Sequence, residues 1–112
     1  MNYSIKKEKN CLLVAIFGEI DISITDSLRE DIDRALDNYG SVQLVIDLSG
    51  VDFIDSSGLG VILGRYKRLA GKGGKVILAG ARPQVKKVLE LSGLLNLMEE
   101  YNSADEVINK IS

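Results

Sequence analysis

Three short apolar runs, each followed along the chain by a segment with helical spacing, constrain the fold more than any other feature. Residues 11–17 form an uninterrupted apolar run, which indicates a strand that is buried on both faces. Residues 42–48 and 75–79 are also mainly apolar, and apolar residues recur three or four positions apart in the segments that follow. Because strands that alternate with helices usually form a parallel sheet covered by helices, this pattern predicts an α/β fold.

The opening of the chain adds an antiparallel feature to this prediction. Residues 3–8 are typical of a strand, and a tight turn at Lys9-Asn10 would pair them with residues 11–17 in a hairpin. A further short strand is expected around Leu97-Met98. Four helices are predicted, over residues 25–39, 59–70 and 83–93 and from residue 103 onward. We therefore predict a single domain over residues 1–112, with a mixed, mainly parallel sheet of four or five strands, an N-terminal hairpin and about four helices.

Charge is unevenly distributed although the net charge is only −2. Residues 18–55 contain ten acidic and two basic residues, a balance of −8, whereas residues 56–98 contain eight basic residues and one acidic residue, a balance of +7. Aromatic residues make up 5% of the chain and Tyr66, a predicted core residue, is the one aromatic in this basic segment, so a stacking surface for nucleic acid is not expected. Two oppositely charged regions more often steer a protein partner, or are simply solvated.

Membrane and secretory signals are not found in the sequence. Apolar runs stop at about seven residues, whereas a membrane span requires about 20. The N-terminus lacks the basic and apolar regions of a signal peptide, and the single cysteine, Cys11, has no partner for an internal disulfide. Cys11 is predicted to be a small core residue, and the protein is expected to be cytoplasmic, with no membrane partner.

Enzymatic function is not predicted. The chain has no histidine, so it has no Ser-His-Asp triad, and one cysteine without histidine gives no soft-ligand metal site. Gly58, Gly60 and Gly64 imitate a dinucleotide-binding motif, but their spacing is off by one residue. We expect neither a cofactor nor a metal, and predict that the chain is a substrate of another enzyme.

Residues 51–60, with the sequence VDFIDSSGLG, join a predicted strand to a predicted helix. Asp55 or Ser56 would cap that helix, because their oxygens accept the free backbone N–H groups of a first turn. At about 100° per residue, Ser57 points away from the core and presents a free hydroxyl to solvent. The expected core face consists of Leu59, Ile62, Leu63, Tyr66, Leu69 and Ala70, and the exposed face of Ser57, Gly60, Val61, Gly64 and Arg68. A helix start also favours negative charge, so Ser57 is a candidate modification site.

Residues 55–67, with the sequence DSSGLGVILGRYK, resemble the signature of the STAS-domain anti-sigma factor antagonists, most of all their sporulation-type members. The resemblance covers nearly the whole chain. It is supported by Gly18-Glu19-Ile20-Asp21, Val45-Ile46-Asp47-Leu48, Phe53-Ile54-Asp55 and Ser92-Gly93-Leu94.

This resemblance implies a function in partner switching. The unmodified antagonist would bind an anti-sigma factor that is also a serine kinase, and this would free the sigma factor for transcription. The kinase would use ATP to phosphorylate Ser57, which would abolish binding, and a PP2C-type phosphatase would reverse the reaction. The free protein is expected to be monomeric. The predicted partner-binding residues are Gly18, Glu19, Asp21, Asp55, Ser56, Gly58, Leu59, Gly60, Val61, Gly64 and Arg68.

Three alternatives remain open at this stage. Residues 18–24 are either part of the partner-binding rim or a connector whose isoleucines lie under the next helix. The chain could be a STAS module of another signalling system, such as a stressosome or a transporter. It could also be a receiver-like domain phosphorylated on Asp47, with Glu19 and Asp21 as a magnesium-binding pair. The hairpin at the start of the chain, and the position of Asp47 within a strand, oppose this last alternative.

Overall fold

The structure, a computed structural model, describes residues 2–41 and 43–111. Its five strands form one sheet in the order β1-β2-β3-β4-β5. The elements are β1 (Tyr3–Glu8), β2 (Cys11–Ile20), α1 (Ile22–Tyr39), β3 (Gln43–Ile54), α2 (Ser56–Ala70), β4 (Lys75–Ala79), α3 (Pro83–Leu91), a 3₁₀ turn (Leu94–Asn96), β5 (Glu99–Tyr101) and α4 (Ala104–Ile111).

The sheet is mixed and mainly parallel, as predicted. Strand β1 pairs antiparallel with β2 from Tyr3↔Ile16 to Glu8↔Cys11, whereas the other three pairings are parallel. A helix lies in each connection between parallel neighbours, which is the connection that parallel strands require. The predicted hairpin, the number of strands and the four helices are therefore confirmed.

Two hydrophobic clusters cover the two faces of the sheet. The larger cluster joins Leu12, Val14 and Ile16 of β2 to the inner faces of α1, α2 and α3. The smaller cluster joins Cys11 of β2 to Val45, Ile77, Ala79 and Val107, and α4 covers it. Burial raises the pKa of the Cys11 thiol, and the charge of Glu8 adds to this effect. Cys11 is thus a small, protonated core residue, as its apolar surroundings predicted.

Strands β2 and β3 extend further than the sequence predicted. The predicted loop at residues 18–24 is strand up to Ile20, and β3 continues through the predicted loop at residues 49–54. The two extensions pair with each other, as in Phe17↔Gly50 and Glu19↔Phe53, with register shifts after Ala15 and after Gly18. Glycines and acidic residues make these segments look like loops in the sequence, but pairing satisfies their backbone groups despite the irregular register. Val42, the predicted first residue of the central strand, lies outside the described residues.

Helix boundaries were predicted within a few residues. Gly40 ends α1 in the left-handed conformation, with φ of 61°, and Ser103 Oγ accepts a hydrogen bond from Glu106 N at the start of α4. Helix α1 begins at Ile22 instead of residue 25, because Asp21 is its N-cap. The strand predicted around Leu97-Met98 is wrong: a 3₁₀ turn precedes these residues and the strand is Glu99–Tyr101.

The two edges of the sheet differ in length and charge. Strand β1 has six residues and carries the exposed side chains of Lys6 and Lys7, whereas β5 has only three residues.

Within the described residues, none of the helices has the length and hydropathy that crossing a bilayer would need.

Candidate functional site at the start of helix α2

Asp55 is the N-cap of α2. Its backbone is extended, with φ of −105° and ψ of −173°, and its Oδ1 atom accepts hydrogen bonds from Ser57 N at 2.9 Å and Gly58 N at 3.2 Å. These are two of the backbone N–H groups that a first helical turn leaves without a partner. Of the two predicted caps, the structure therefore selects Asp55 and leaves the side chain of Ser56 exposed.

The hydroxyl of Ser57 is not free, so that prediction is wrong. Ser57 Oγ donates a hydrogen bond to Asp55 Oδ1 at 2.6 Å, and the side chain is partly buried. Helix α2 begins at Ser56 and not at the predicted residue 59, so the Ser57 side chain reaches back to the cap carboxylate. This hydrogen bond is the main cause of the lowered pKa of Asp55; loss of hydration opposes it, and the N–H groups of Gly58 and Ser57 reinforce it.

The buried face of α2 is rotated relative to the predicted one. Gly58, Val61, Ile62, Arg65 and Leu69 are buried, whereas Ala70 is exposed. The prediction that Val61 is exposed is therefore wrong. Leu59 and Tyr66 are only partly buried and pack at the margin of the core.

Gly58 explains this rotation, because it brings the start of α2 against the sheet. A Cβ atom at Gly58 would lie 2.7 Å from both Ile20 Cγ2 and Ile54 Cγ1, which is closer than carbon atoms can pack. Only glycine fits there without a shift of its neighbours. The side of α2 that carries Gly58 must therefore face the sheet, and Val61 and Arg65, three and seven residues further on, follow it inward.

A groove lies between the starts of α1 and α2, and Ser57 forms part of its wall. It encloses about 340 Å³. We call it the α1–α2 groove; it is lined by Ile22, Thr25, Asp26, Arg29, Ser57, Gly60, Val61 and Arg65. Ser57 is thus partly buried by its neighbours but still opens to solvent through this groove.

Arg29 and Arg65 are two groove residues that the sequence analysis did not identify. Arg65 is buried, with its Nε 3.0 Å from Asp33 Oδ1 and its Nη1 donating to Val61 O at 3.3 Å. Arg29 Nη1 lies 3.2 Å from Asp26 Oδ1 within α1. Arg65 follows Val61 by four residues and Arg29 follows Thr25 by four, so helical spacing alone could have placed both arginines beside groove residues.

Comparison with known proteins identifies the family. The model of the family described as "STAS domain" matches residues 2–107. This chain belongs to the STAS domain family. It is 35% identical over 113 residues to an anti-sigma F factor antagonist of Paenibacillus polymyxa, covering 99% of this chain and 97% of that protein. The predicted resemblance is therefore confirmed.

Two solved structures agree with this assignment. The STAS domain matches the anti-sigma factor antagonist SpoIIAA in its unphosphorylated form with a TM-score of 0.86, 27% identity, and coverage of 97% of this chain and 95% of that one. It matches the Bacillus cell fate determinant SpoIIAA in the phosphorylated form with a TM-score of 0.80, 26% identity, and coverage of 98% and 99%. Both likenesses extend along nearly the full length of the chain.

The other predicted binding residues of this STAS domain fall into two groups. Glu19 is exposed at the end of β2, and Asp21 caps the start of α1, where its Oδ1 accepts hydrogen bonds from the backbone N–H and the hydroxyl of Ser23. These residues, Gly18 and the first turn of α2 all lie where β2 and β3 end, so the structure brings them to one end of the sheet.

Arg68 is separate from this group. It forms ion pairs with Asp33, at 2.9 Å, and with Asp37. It lines a different cavity, of about 140 Å³, with Asp37 and Ser41. Arg68 follows Ser57 by eleven positions, which corresponds to about 16 Å along the helix axis.

The receiver-like alternative does not agree with this STAS domain. Doubly wound receiver-like sheets have strand order 2-1-3-4-5, whereas this sheet has order 1-2-3-4-5 with an antiparallel first pair. Asp47 lies in the middle of β3, where its Oδ1 accepts a hydrogen bond from Ser49 N at 3.0 Å. Among residues 2–41 and 43–111, no three or more acidic, cysteine or histidine side chains are grouped as metal ligands would be.

Proposed function

We propose that this chain is an anti-sigma factor antagonist whose binding to its anti-sigma factor is controlled by phosphorylation of Ser57. The single observation that carries the proposal is the setting of Ser57: its hydroxyl is hydrogen-bonded to the N-cap of α2, and the residue lines the α1–α2 groove. The similarity to an anti-sigma F factor antagonist supports the first part of the proposal.

The reaction is a phosphoryl transfer from ATP. A bond forms between Ser57 Oγ and the γ-phosphorus, the bond to ADP breaks, and the hydroxyl proton passes to a base of the kinase. Because a carboxylate only accepts hydrogen bonds, the Ser57 proton is directed at Asp55 Oδ1 before transfer. Hydrolysis of the phosphate monoester by a PP2C-type phosphatase would restore the hydroxyl and release inorganic phosphate.

The added charge should disrupt the complex but not the fold. A phosphoserine carries a charge of about −1.5 to −2 at neutral pH. At the start of a helix such a charge is stabilising by roughly 0.3–1 kcal/mol. In a complex the same charge must be removed from water, at a cost of several kcal/mol unless it is paired. A loss of about 3–4 kcal/mol weakens binding by a factor of several hundred.

The test is incubation with a cognate anti-sigma factor kinase and labelled ATP, followed by mapping of the modified residue. We expect one phosphate on Ser57. The Ser57→Ala variant should bind the kinase and remain unlabelled, and Ser23→Ala is its matched control, because Ser23 makes the same contacts with Asp21. Label on another residue, or equal affinity of both phosphorylation states for the kinase, would contradict the proposal.

Circular dichroism provides a second readout. Phosphorylated protein and the Ser57→Asp variant should retain the helix content of the unmodified chain while losing affinity for the anti-sigma factor. A large loss of helix on phosphorylation would mean that the switch works by unfolding, not by charge at an interface.

A further inference from the structure

We propose that Arg29 of α1 binds the phosphate on Ser57, so that phosphorylation joins the starts of α1 and α2 across the α1–α2 groove. This inference rests on the proposed function, because it takes Ser57 as the modified residue.

The phosphate must turn away from Asp55. In the unmodified protein three donors converge on Asp55 Oδ1: the N–H groups of Ser57 and Gly58 and the Ser57 hydroxyl. Phosphorylation removes the hydroxyl donor and places a dianion beside the carboxylate. Like charges at this distance repel each other, while the two backbone N–H groups hold the Asp55 carboxylate in place. Rotation into the α1–α2 groove separates the two charges.

Two cationic side chains, Arg29 and Arg65, line the groove, and Arg65 is already paired inside the protein. Arg65 contacts Asp33 through Nε at 3.0 Å and Val61 O through Nη1 at 3.3 Å, and its side chain is only 10% exposed. Moving it toward a phosphate would leave Asp33 with only Arg68 as its counterion, in a partly buried position.

Arg29 is the available cation. Its side chain is 44% exposed, and its partner in the 3.2 Å ion pair, Asp26, is 83% exposed. Ion pairs between such exposed side chains contribute little, because water screens them. A phosphate dianion with three acceptor oxygens is a stronger partner for a guanidinium than one solvated carboxylate. Asp26 also lines the groove and opposes the phosphate, so Arg29 must exchange Asp26 for the phosphate.

The experiment measures the second ionisation of the phosphate itself. Phosphoserine is introduced at position 57 of the full chain during translation, so no kinase is needed, and the ³¹P NMR shift is followed against pH in the parent chain, Arg29→Gln and Arg34→Gln. Arg34 is the matched control: it lies on α1 and pairs with Asp31 at the same i,i+3 spacing, at 3.1 Å, but it lines another cavity.

We expect Arg29→Gln to raise the pKa of the phosphate by about half a unit or more. The guanidinium stabilises the dianion more than the monoanion, so its loss favours the protonated form. Arg34→Gln should leave the titration unchanged, and the two unphosphorylated variants should melt at similar temperatures. Coincident titrations of Arg29→Gln and the parent chain would overturn the inference. Since this measurement needs neither kinase nor anti-sigma factor, its failure is distinguishable from a failure of the proposed function.

Discussion

Helices α1 and α2 begin with the same turn but pack against the sheet in different ways. In Asp21-Ile22-Ser23 and in Asp55-Ser56-Ser57, the aspartate is the N-cap, and the serine two residues later donates both its N–H and its hydroxyl to the same oxygen of that aspartate. The next residue differs. It is Ile24 in α1, whose side chain inserts into the larger cluster, and Gly58 in α2, whose backbone lies against Ile20 and Ile54.

This difference determines the setting of each serine. Ser23 is exposed, whereas the close approach at Gly58 leaves Ser57 partly buried beside α1, on a groove that also contains Arg29 and Arg65. Two chemically equivalent hydroxyls therefore have different neighbours. The cap motif therefore orients a serine, while the residue after it determines which surface that serine faces.

The largest expected effect is at Ile24. We expect Ile24→Ala to lower the free energy of unfolding by about 2–5 kcal/mol, because it removes a buried side chain and leaves a cavity in the larger cluster. Ile22→Ala is the control: its side chain is 80% exposed, and the change should stay within about 0.5 kcal/mol. Urea unfolding measures both. Equal effects would show that α1, like α2, is positioned by its backbone and not by this side chain.

Gly58→Ala tests the other helix. The new Cβ would lie 2.7 Å from two isoleucine side chains and 3.1 Å from Ile20 O, so overpacking should cost about 1–3 kcal/mol. In Gly64→Ala, which lies on the same helix, the added Cβ meets no heavy atom within 4 Å. That control should be neutral or more stable, by up to about 1 kcal/mol, because alanine favours helix. If both variants unfold at the same urea concentration, the close approach at Gly58 does not position α2.

The smallest expected effect is the pH dependence of the α2 cap. Since the pKa of Asp55 is lower in the folded state than in the unfolded chain, its contribution is complete above the unfolded value of about 3.9 and is lost as pH falls through the folded value. In thermal unfolding experiments, the parent chain should therefore lose more stability below about pH 4 than the Asp55→Asn variant. The amide oxygen of that variant still caps the helix but does not titrate in this range. If the stability of the two proteins falls equally with pH, Asp55 does not contribute to the acid sensitivity of the fold.

The sequence predicted the architecture well because strands and helices have different periodicities. The apolar runs at residues 11–17, 42–48 and 75–79 placed the three central strands, and glycine at position 40 placed a helix end. The extensions of β2 and β3 were not predicted, because Gly18, Gly50 and the acidic residues beside them suggest a loop. These extensions depend on pairing between two segments about 30 residues apart, which local patterns do not report.

The site was predicted less completely. Residue chemistry limited the cap of α2 to Asp55 or Ser56. Two overlapping sets of α2 residues recur at helical spacing, and the set that includes Arg65 was not predicted to be the buried one. A charged residue is rarely buried without a partner, and its partner Asp33 lies on a different helix. The position of Arg65, the partial burial of Ser57 and the presence of Arg29 beside it all depend on how α1 and α2 meet.

The unequal edges of the sheet have a consequence for self-association. Strand β5 offers only three residues to an incoming strand, and β1 presents two lysines along its length. Short or charged edge strands discourage the addition of another chain by backbone hydrogen bonding, which is the first step toward fibrillar aggregation. A crowded solution of this protein should therefore be slow to form cross-β deposits even though nearly half of its residues are apolar.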